Sequence, residues 1–229
     1  MNKTLEQIAD APFCPTIVPT SCDVVCAFIE ALSAEGYPAL EVLSRPLDAA
    51  LELLAELNRR PQRRALLVGL GTIVTEEAAR AAVKLSPDFL VSPAFSRSVL
   101  RVAAAEKIPY MPAVLTLQDV QNVLDGFAEH GLSASVLKLC PCYGLDEIYV
   151  QMLAGCYPGI TYCPTGMIDE GNLAHWKRMP HIGAPMGSRL VPPAMMETRD
   201  VSLMRKQLRR LRELVLDPSD QASEVPGGS

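Results

Sequence analysis

Residues 110–140 read YMPAVLTLQDVQNVLDGFAEHGLSASVLKLC. The segment opens with an apolar run, 110–115, and closes with a second one, 136–140, and both have the composition of buried β-strands. Between them, residues 117–130 carry apolar side chains spaced three and four apart, which is the period of an amphipathic helix. Two buried strands joined by a helix are typical of a parallel βαβ unit.

The same alternation of strand and helix repeats along the chain, with a new strand about every 25 residues. Short joints containing proline or glycine separate the units. The predicted strands are 16–18, 39–43, 65–69, 89–92, 110–115, 136–140, 160–163 and, more weakly patterned, 182–187. The predicted helices are 22–34, 47–58, 76–85, 96–105, 117–130, 146–153, 170–176 and 201–216.

Eight strands that are apolar throughout indicate burial on both faces, and their strict alternation with helices indicates a parallel sheet. The count and the length favour a single-domain (β/α)₈ TIM barrel over residues 1–216. The alternative, a doubly wound sheet, usually carries a glycine-rich phosphate loop after a strand. The nearest candidate, Gly69-Leu70-Gly71-Thr72, follows the third strand and lacks the last glycine. We expect the tail 217–229, rich in proline and glycine, to be disordered.

Composition narrows the function classes. The chain has 229 residues, 49% of them hydrophobic, and a net charge of -5. No apolar run reaches the roughly 20 residues of a membrane span, and the first residues lack the apolar block of a secretion signal. We therefore expect a soluble cytoplasmic protein whose partner is a small molecule, rather than a membrane or a nucleic acid. The basic segment 205–212 has apolar residues at helical spacing beneath it, which favours the solvated face of the last helix over a nucleic-acid patch.

The seven cysteines form no metal-binding or disulfide pattern. Their odd number favours reduced thiols packed as small apolar groups. The three histidines supply no zinc-ligand spacing beside a cysteine pair. We expect neither a metal nor a cofactor.

Fifteen of the 21 basic residues are arginine and only six are lysine. Five lysines fall at a terminus or in predicted helices and loops, whereas Lys138 lies inside the buried strand SVLKLC, 135–140. Burial disfavours the charged form of an amine and leaves a larger neutral fraction able to attack a carbonyl. Lys138 is therefore a candidate nucleophile, with Glu41 of the second strand as a candidate acid and base. The alternative is a structural ion pair between the two.

Other polar residues and prolines follow the predicted strands, where parallel barrels place their chemistry. Arg45 has the planar fork that grips a carboxylate, or is an exposed loop arginine. Thr72 and Thr165 are substrate donors or helix caps, and Pro93 is a residue that shapes a strand end. The eighth strand reaches Gly187 and Ser188.

Together these residues resemble a known family. The 2-keto-3-deoxy-6-phosphogluconate (KDPG) aldolase and 4-hydroxy-2-oxoglutarate (KHG) aldolase family has a similar order and spacing of motifs over about residues 15–192. The motifs are Leu40-Glu41-Val42 with Arg45, Gly69-x-Gly71-Thr72, Val91-Ser92-Pro93, Pro112, Lys138-x-x-Pro141, Cys163-Pro164-Thr165-Gly166 and Gly187-Ser188-x-Leu190-Val191-Pro192.

The resemblance implies a metal-independent class I aldolase, usually a homotrimer, that releases pyruvate from a 2-keto-4-hydroxy acid. It implies that Lys138 forms a Schiff base and that Glu41 moves protons. It places Arg45, Thr72 and Pro93 at the pyruvyl group and Thr165 at the substrate hydroxyl or carbonyl. The distal phosphate would lie near Gly166, Gly187 and Ser188.

The chain departs from the family pattern at the distal end of this pocket. Met167 and Met186 stand where the family has glycines, and Cys140 stands where it commonly has an aromatic residue. Because glycine amides cradle phosphate by close approach, we expect a methionine there to obstruct it. An unphosphorylated aldehyde is therefore an open alternative. A keto-acid-binding barrel without turnover and a sugar-phosphate isomerase or synthase are two further hypotheses.

Overall fold

The computed structural model describes residues 3–216, so the predicted tail lies outside the described residues. Strands and helices alternate along them. The strands are β1 Cys14–Ile17, β2 Ala39–Leu43, β3 Leu67–Gly71, β4 Phe89–Ser92, β5 Tyr110–Val114, β6 Val136–Leu139, β7 Thr161–Pro164 and β8 Met186–Gly187. The helices are α1 Lys3–Ala9, α2 Cys22–Ala34, α3 Leu47–Leu57, α4 Glu76–Val83, α5 Arg97–Ala105, α6 Leu117–Glu129, α7 Glu147–Cys156, α8 Leu173–Arg178 and α9 Val201–Leu216.

The eight strands form one parallel sheet in the order β7-β6-β5-β4-β3-β2-β1-β8. Two further parallel bridges, Tyr162 with Ile182 and Thr165 with Met186, join β7 to the chain around β8. The sheet thus closes into a nearly complete ring with helices outside it. This confirms the predicted (β/α)₈ barrel and excludes the doubly wound sheet.

Several predicted boundaries differ from the structure by two or more residues: β1 begins at Cys14 rather than 16 and α7 ends at Cys156 rather than 153, and three more differ as follows. β3 begins at Leu67 rather than 65, because the Ala65 amide donates to the Gln62 carbonyl oxygen of the preceding 3-10 turn, Pro61–Arg64. β8 is reduced to Met186–Gly187, and the earlier residue Ile182 pairs with Tyr162 only as an isolated bridge. α8 begins at Leu173 because the side chain of Asn172 accepts a hydrogen bond from the Asp169 amide and holds the preceding turn.

The barrel has two cores because successive strand residues point to opposite sides. The outer core lies between strands and helices and includes Leu40, Val42, Leu137 and Leu139. The inner core fills the barrel, with members such as Ala39, Phe89, Val91, Met111 and Val136. Both faces of every strand are therefore covered, as the apolar strand composition predicted.

Helix α1 does not appear among the predicted elements. Its buried residues Leu5, Ile8 and Ala9 join the inner core of the barrel. The Lys177 ammonium of α8 donates to the Ala9 carbonyl oxygen at 3.2 Å, which ties the end of α1 to the outer helices. α1 therefore covers the amino-terminal end of the strands and leaves access from the opposite end.

Helix α9 returns to pack on α2 and α8. Its basic face is paired within the fold. Glu35, only 9% exposed at its side chain, accepts from Arg205 Nε at 2.6 Å and Arg209 Nε at 2.9 Å, and its carbonyl oxygen accepts from Arg212 at 2.7 Å. Arg210 pairs with Glu170 at 2.7 Å. These pairs confirm that segment 205–212 is the outer face of the last helix. Within residues 3–216, no helix has the length and apolar composition to cross a membrane.

We predict that Glu35→Gln lowers the free energy of unfolding by about 1 kcal/mol at pH 7, a value discounted for the exposure of the arginines. Hydrogen bonds from Arg209, and then from Arg205, lower the Glu35 pKa from 4.5 to about 2. A lowered carboxyl pKa stabilises the fold above pH 4.5 and ceases to do so as pH falls through 2. Urea unfolding of wild type and variant should therefore differ at pH 7 and converge toward pH 3.

The exposed Glu56→Gln on α3 is the matched control, and it should change stability by less than about 0.5 kcal/mol. A Glu35→Gln deficit that stays constant between pH 7 and pH 3 would contradict this account.

Candidate active site

The site centres on two strand residues that point into the barrel. On β6, Leu137 and Leu139 face the outer core, so the alternation of the strand turns Lys138 inward. On β2, Leu40 and Val42 face outward and Glu41 turns inward in the same way. The barrel thereby brings together two residues that are 97 positions apart in sequence.

Lys138 Nζ lies 3.1 Å from Glu41 Oε1 and 3.3 Å from Oε2. Glu41 is fully buried and Lys138 is 5% exposed. The structure therefore places the lysine in the barrel interior, as its sequence context predicted, and makes Glu41 its counter-ion. Two buried charges of this kind are costly to desolvate unless each is hydrogen-bonded.

Two further residues surround the Glu41 carboxylate, and both were missed as site residues by the sequence analysis. Thr16 Oγ1 of β1 donates to Glu41 Oε2 at 3.1 Å. A Cβ at Gly71, the last residue of β3, would lie 1.9 Å from Glu41 Oε1, so only glycine leaves room for the carboxylate. A threonine inside an apolar strand was the available signal for the first, and the Gly-x-Gly spacing was the available signal for the second.

Buried thiols lie near the ion pair. Burial raises the pKa of Cys14 well above its usual range, and the nearby Glu41 charge raises it further. Burial also raises the pKa of Cys163 to about 12. The Cys140 pKa is raised by burial, while the charges of Lys138 and Arg45 oppose that rise. Burial therefore favours the neutral form of these three thiols near pH 7. All seven cysteines are free.

The candidate substrate-binding residues follow the strands at the carboxyl end of the barrel. Arg45 lies two positions after β2 and is exposed, and Pro93 follows β4 and is also exposed. Thr72 follows β3 with φ 63, in the left-handed region that a threonine rarely adopts. Such strain is commonly kept at functional sites. These residues share one rim, open on the side opposite α1.

Thr165, the first residue after β7, has a buried hydroxyl with no hydrogen-bond partner within residues 3–216. A buried hydroxyl without a partner is costly, so this one is available to a bound molecule. Gly166 adopts φ 114, which favours glycine, and its carbonyl oxygen accepts from the Cys142 thiol at 3.2 Å. Gly187 ends β8, and the exposed Ser188 begins the next 3-10 turn.

The two methionines of the distal end differ in position. Met167 is exposed at the rim, with φ 60. Met186 is fully buried and belongs to the inner core, so its side chain does not lie at the exposed rim. Arg189 lies 3.8 Å from Asp169, and both side chains are about half exposed.

Comparison with known proteins supports the same assignment. The family model for KDPG and KHG aldolase matches residues 5–207. The chain belongs to the KDPG and KHG aldolase family. This confirms the family and the enzyme class, a lyase, that the sequence motifs predicted.

Three relatives illustrate the similarity. The 2-dehydro-3-deoxy-phosphogluconate aldolase of Treponema pallidum is 30% identical over 200 residues, covering 87% of this chain and 84% of its own. A solved 4-hydroxy-2-oxoglutarate aldolase/2-deydro-3-deoxyphosphogluconate aldolase from TTHB1 superposes with TM-score 0.78 at 29% identity, covering 94% and 99% of the two chains. A Legionella pneumophila KDPG aldolase, solved with pyruvate captured as a covalent carbinolamine intermediate, shares the fold with TM-score 0.76 at 24% identity, covering 92% and 98%.

We predict that Gly71→Ala lowers the rate of pyruvate release from a 2-keto-4-hydroxy acid by at least about a hundredfold. The added Cβ would displace Glu41 Oε1, and a misplacement of about 1 Å can cost that much in rate. Initial rates and circular dichroism spectra of the purified variant provide the measurement.

Gly155→Ala on α7 is the matched control, because a Cβ there meets no atom within 4 Å. It should leave the rate unchanged. Equal rates for Gly71→Ala and Gly155→Ala would show that the carboxylate does not need its observed position.

Proposed function

We propose that this chain is a class I aldolase that cleaves a 2-keto-4-hydroxy acid into pyruvate and an aldehyde through a Schiff base on Lys138. The observation that carries the proposal is the contact, at 3.1 Å, between a buried amine and a fully buried carboxylate inside the barrel. A structural ion pair alone would not require the open, polar rim that lies beyond it. Family membership supports the same chemistry.

Schiff-base formation begins with the neutral amine. Glu41 is close enough to accept a proton from Lys138 Nζ, which then attacks the C2 carbonyl carbon of the substrate. The carbonyl π electrons move to oxygen, which is protonated to give a carbinolamine. Loss of that hydroxyl as water leaves an iminium between Nζ and C2.

Glu41 then serves as the base of the cleavage step. Its carboxylate removes the proton of the C4 hydroxyl, directly or through a water molecule, and the O–H electron pair forms the aldehyde carbonyl. The C3–C4 bond breaks, its electron pair forms C2=C3, and the iminium π pair moves to nitrogen as an enamine. Protonation at C3 and hydrolysis release pyruvate and restore the amine of Lys138.

The rim residues position the substrate in this proposal. The Arg45 guanidinium and the Thr72 hydroxyl hold the C1 carboxylate, because a guanidinium offers two parallel donors to it. Pro93 lines the same part of the pocket. Thr165 donates to the substrate hydroxyl or carbonyl, a role supported by its unpartnered buried oxygen.

The distal group of the substrate would meet Gly166, Gly187 and Ser188. We infer that an unphosphorylated aldehyde is preferred. Two observations support this preference: the Met167 side chain is exposed at this rim, and the charge of Arg189 is partly offset by Asp169 at 3.8 Å. A phosphate dianion would therefore find little net positive charge here.

We predict that the wild-type chain releases pyruvate from 4-hydroxy-2-oxoglutarate with a kcat/KM about tenfold higher than from 2-keto-3-deoxy-6-phosphogluconate. The difference corresponds to one lost charge-assisted hydrogen bond to the phosphate. A panel of phosphorylated and unphosphorylated 2-keto-4-hydroxy acids, assayed for pyruvate, measures it.

Lys138→Arg in the same assay keeps a cation for Glu41 but removes the nucleophile, and we expect no pyruvate release. Lys177→Arg is the matched control, since Lys177 is a partly buried lysine whose ammonium lies against Ala9 at the covered end of the barrel. Turnover by Lys138→Arg would overturn the mechanism. Pyruvate binding without cleavage of any keto acid would favour a non-catalytic keto-acid-binding barrel.

We propose that the chain assembles as a homotrimer in the cytoplasm and serves carbohydrate metabolism. Large apolar side chains that are more than half exposed at α7 and the loop before it support self-association: Tyr143, Ile148 and Met152. Free thiols, including the exposed Cys156, fit a reducing compartment.

We predict that light scattering of the purified protein gives three times the chain mass of 24.8 kDa, and that Ile148→Lys lowers this mass by burying a charge at the contact. The matched control is Leu203→Lys at an exposed position of α9. A wild-type mass equal to that of one chain would contradict the trimer.

A further inference from the structure

Strand β1, Cys14–Ile17, contains one hydroxyl inside the barrel. Thr16 is 4% exposed, and its Oγ1 donates to Glu41 Oε2 at 3.1 Å. A polar group buried in an apolar strand is unfavourable unless it is hydrogen-bonded. The Thr16 hydroxyl therefore has a specific partner, and that partner is the candidate acid and base.

The other donor to Glu41 changes during the proposed reaction. In the free protein, Lys138 Nζ contacts both carboxylate oxygens, at 3.1 and 3.3 Å. Once Nζ is bonded to C2 of the keto acid, it has fewer hydrogens to donate. Thr16 takes no part in bond formation, so its hydrogen bond remains available at every step.

We propose that Thr16 is a positioning residue that holds Glu41 Oε2, so that Oε1 is the oxygen that exchanges protons with the substrate. The inference rests on the proposed function and extends it to a residue outside the predicted site. The contact of Oε1 with Lys138 Nζ at 3.1 Å supports it, since Nζ is the atom that bonds to C2 and so brings the substrate beside that oxygen. The hydroxyl also stabilises the ionised carboxylate over the protonated form.

Pyruvate alone isolates the proton transfer. In the pyruvyl iminium on Lys138, the Glu41 carboxylate removes a proton from the methyl carbon. The C–H electron pair forms C=C, and the iminium π pair moves to nitrogen to give the neutral enamine. Reversal in deuterium oxide returns a deuteron to that carbon, so methyl exchange reports on Glu41 without any aldehyde.

The pH dependence of methyl exchange could also reflect other titratable or charged groups near Glu41. They are the Lys138 amine, which becomes the iminium, the thiols of Cys14, Cys140 and Cys163, and the Arg45 guanidinium, whose charge acts on Cys140. Burial raises the pKa of all three thiols, so none of them loses its proton between pH 5 and pH 8.

The test compares Thr16→Val with Thr16→Ser by NMR of pyruvate methyl exchange from pH 5 to pH 8. Valine keeps the volume and removes the donor, whereas serine keeps the donor. We expect valine to lower exchange about tenfold at the acid end, the effect of one lost hydrogen bond to a charge, and to move the acid limb to higher pH. The Thr16→Ser variant should have an exchange rate within about twofold of the wild-type rate and the same acid limb.

Borohydride trapping of the pyruvyl adduct on Lys138 is measured in parallel. We expect Thr16→Val to retain trapping, because the nucleophile is intact. Thr161→Val on β7 is the matched control for a strand threonine replaced by valine, and it should leave the exchange profile unchanged. If Thr16→Val does not fold, Thr16→Cys, a weaker donor of similar size, replaces it.

An unchanged rate and acid limb in Thr16→Val would overturn the positioning role, and so would equal losses in the valine and serine variants. Absence of any adduct in the wild-type protein would instead overturn the proposed function. The two failures are thus distinguished by the wild-type trapping experiment.

Discussion

The ion pair between Lys138 and Glu41 inside the barrel is the constraint on which the rest of the structure depends. Neither charge could be held there alone, because removing either partner leaves an uncompensated buried charge at a cost of about 3 to 5 kcal/mol. Three features of the fold accommodate the pair. The Thr16 hydroxyl donates to Glu41, the absence of a Cβ at Gly71 leaves room for the carboxylate, and burial keeps the Cys14 thiol neutral. α1 covers the amino-terminal end, so the pair is reached from the rim formed by the carboxyl ends of the strands.

In this barrel, the residues that stabilise the fold are different from those that form the site. Apolar residues of the strands supply the outer core, and small or apolar residues with α1 fill the lower barrel. Apart from the hydrogen-bonded group of Lys138, Glu41 and Thr16, the polar residues of the site lie at the strand ends and in the loops after them. Arg205, Arg209 and Arg210 of α9, by contrast, form ion pairs with Glu35 and Glu170 on the outside of the barrel, away from the site.

Much of the architecture was predictable, because strand composition and helical period are local signals. Lys138 was predictable as well, since a lysine in an apolar strand is rare enough to be noticed without a structure. Thr16 and Gly71 were not, because their roles depend on the closure of β1, β2 and β3 around one carboxylate. The burial of Met186 was not predictable for the same reason: only the three-dimensional structure shows that its side chain lies in the inner core. α1 is seven residues long, too short for its period to stand out.

The central claim is that the buried amine of Lys138 is the nucleophile. The most direct measurement is borohydride reduction of the wild-type protein in the presence of pyruvate, followed by proteolysis and mass spectrometry of the peptides. The account predicts one pyruvyl adduct, on Lys138. An adduct on Lys177 or another lysine, or no adduct at all, would contradict it.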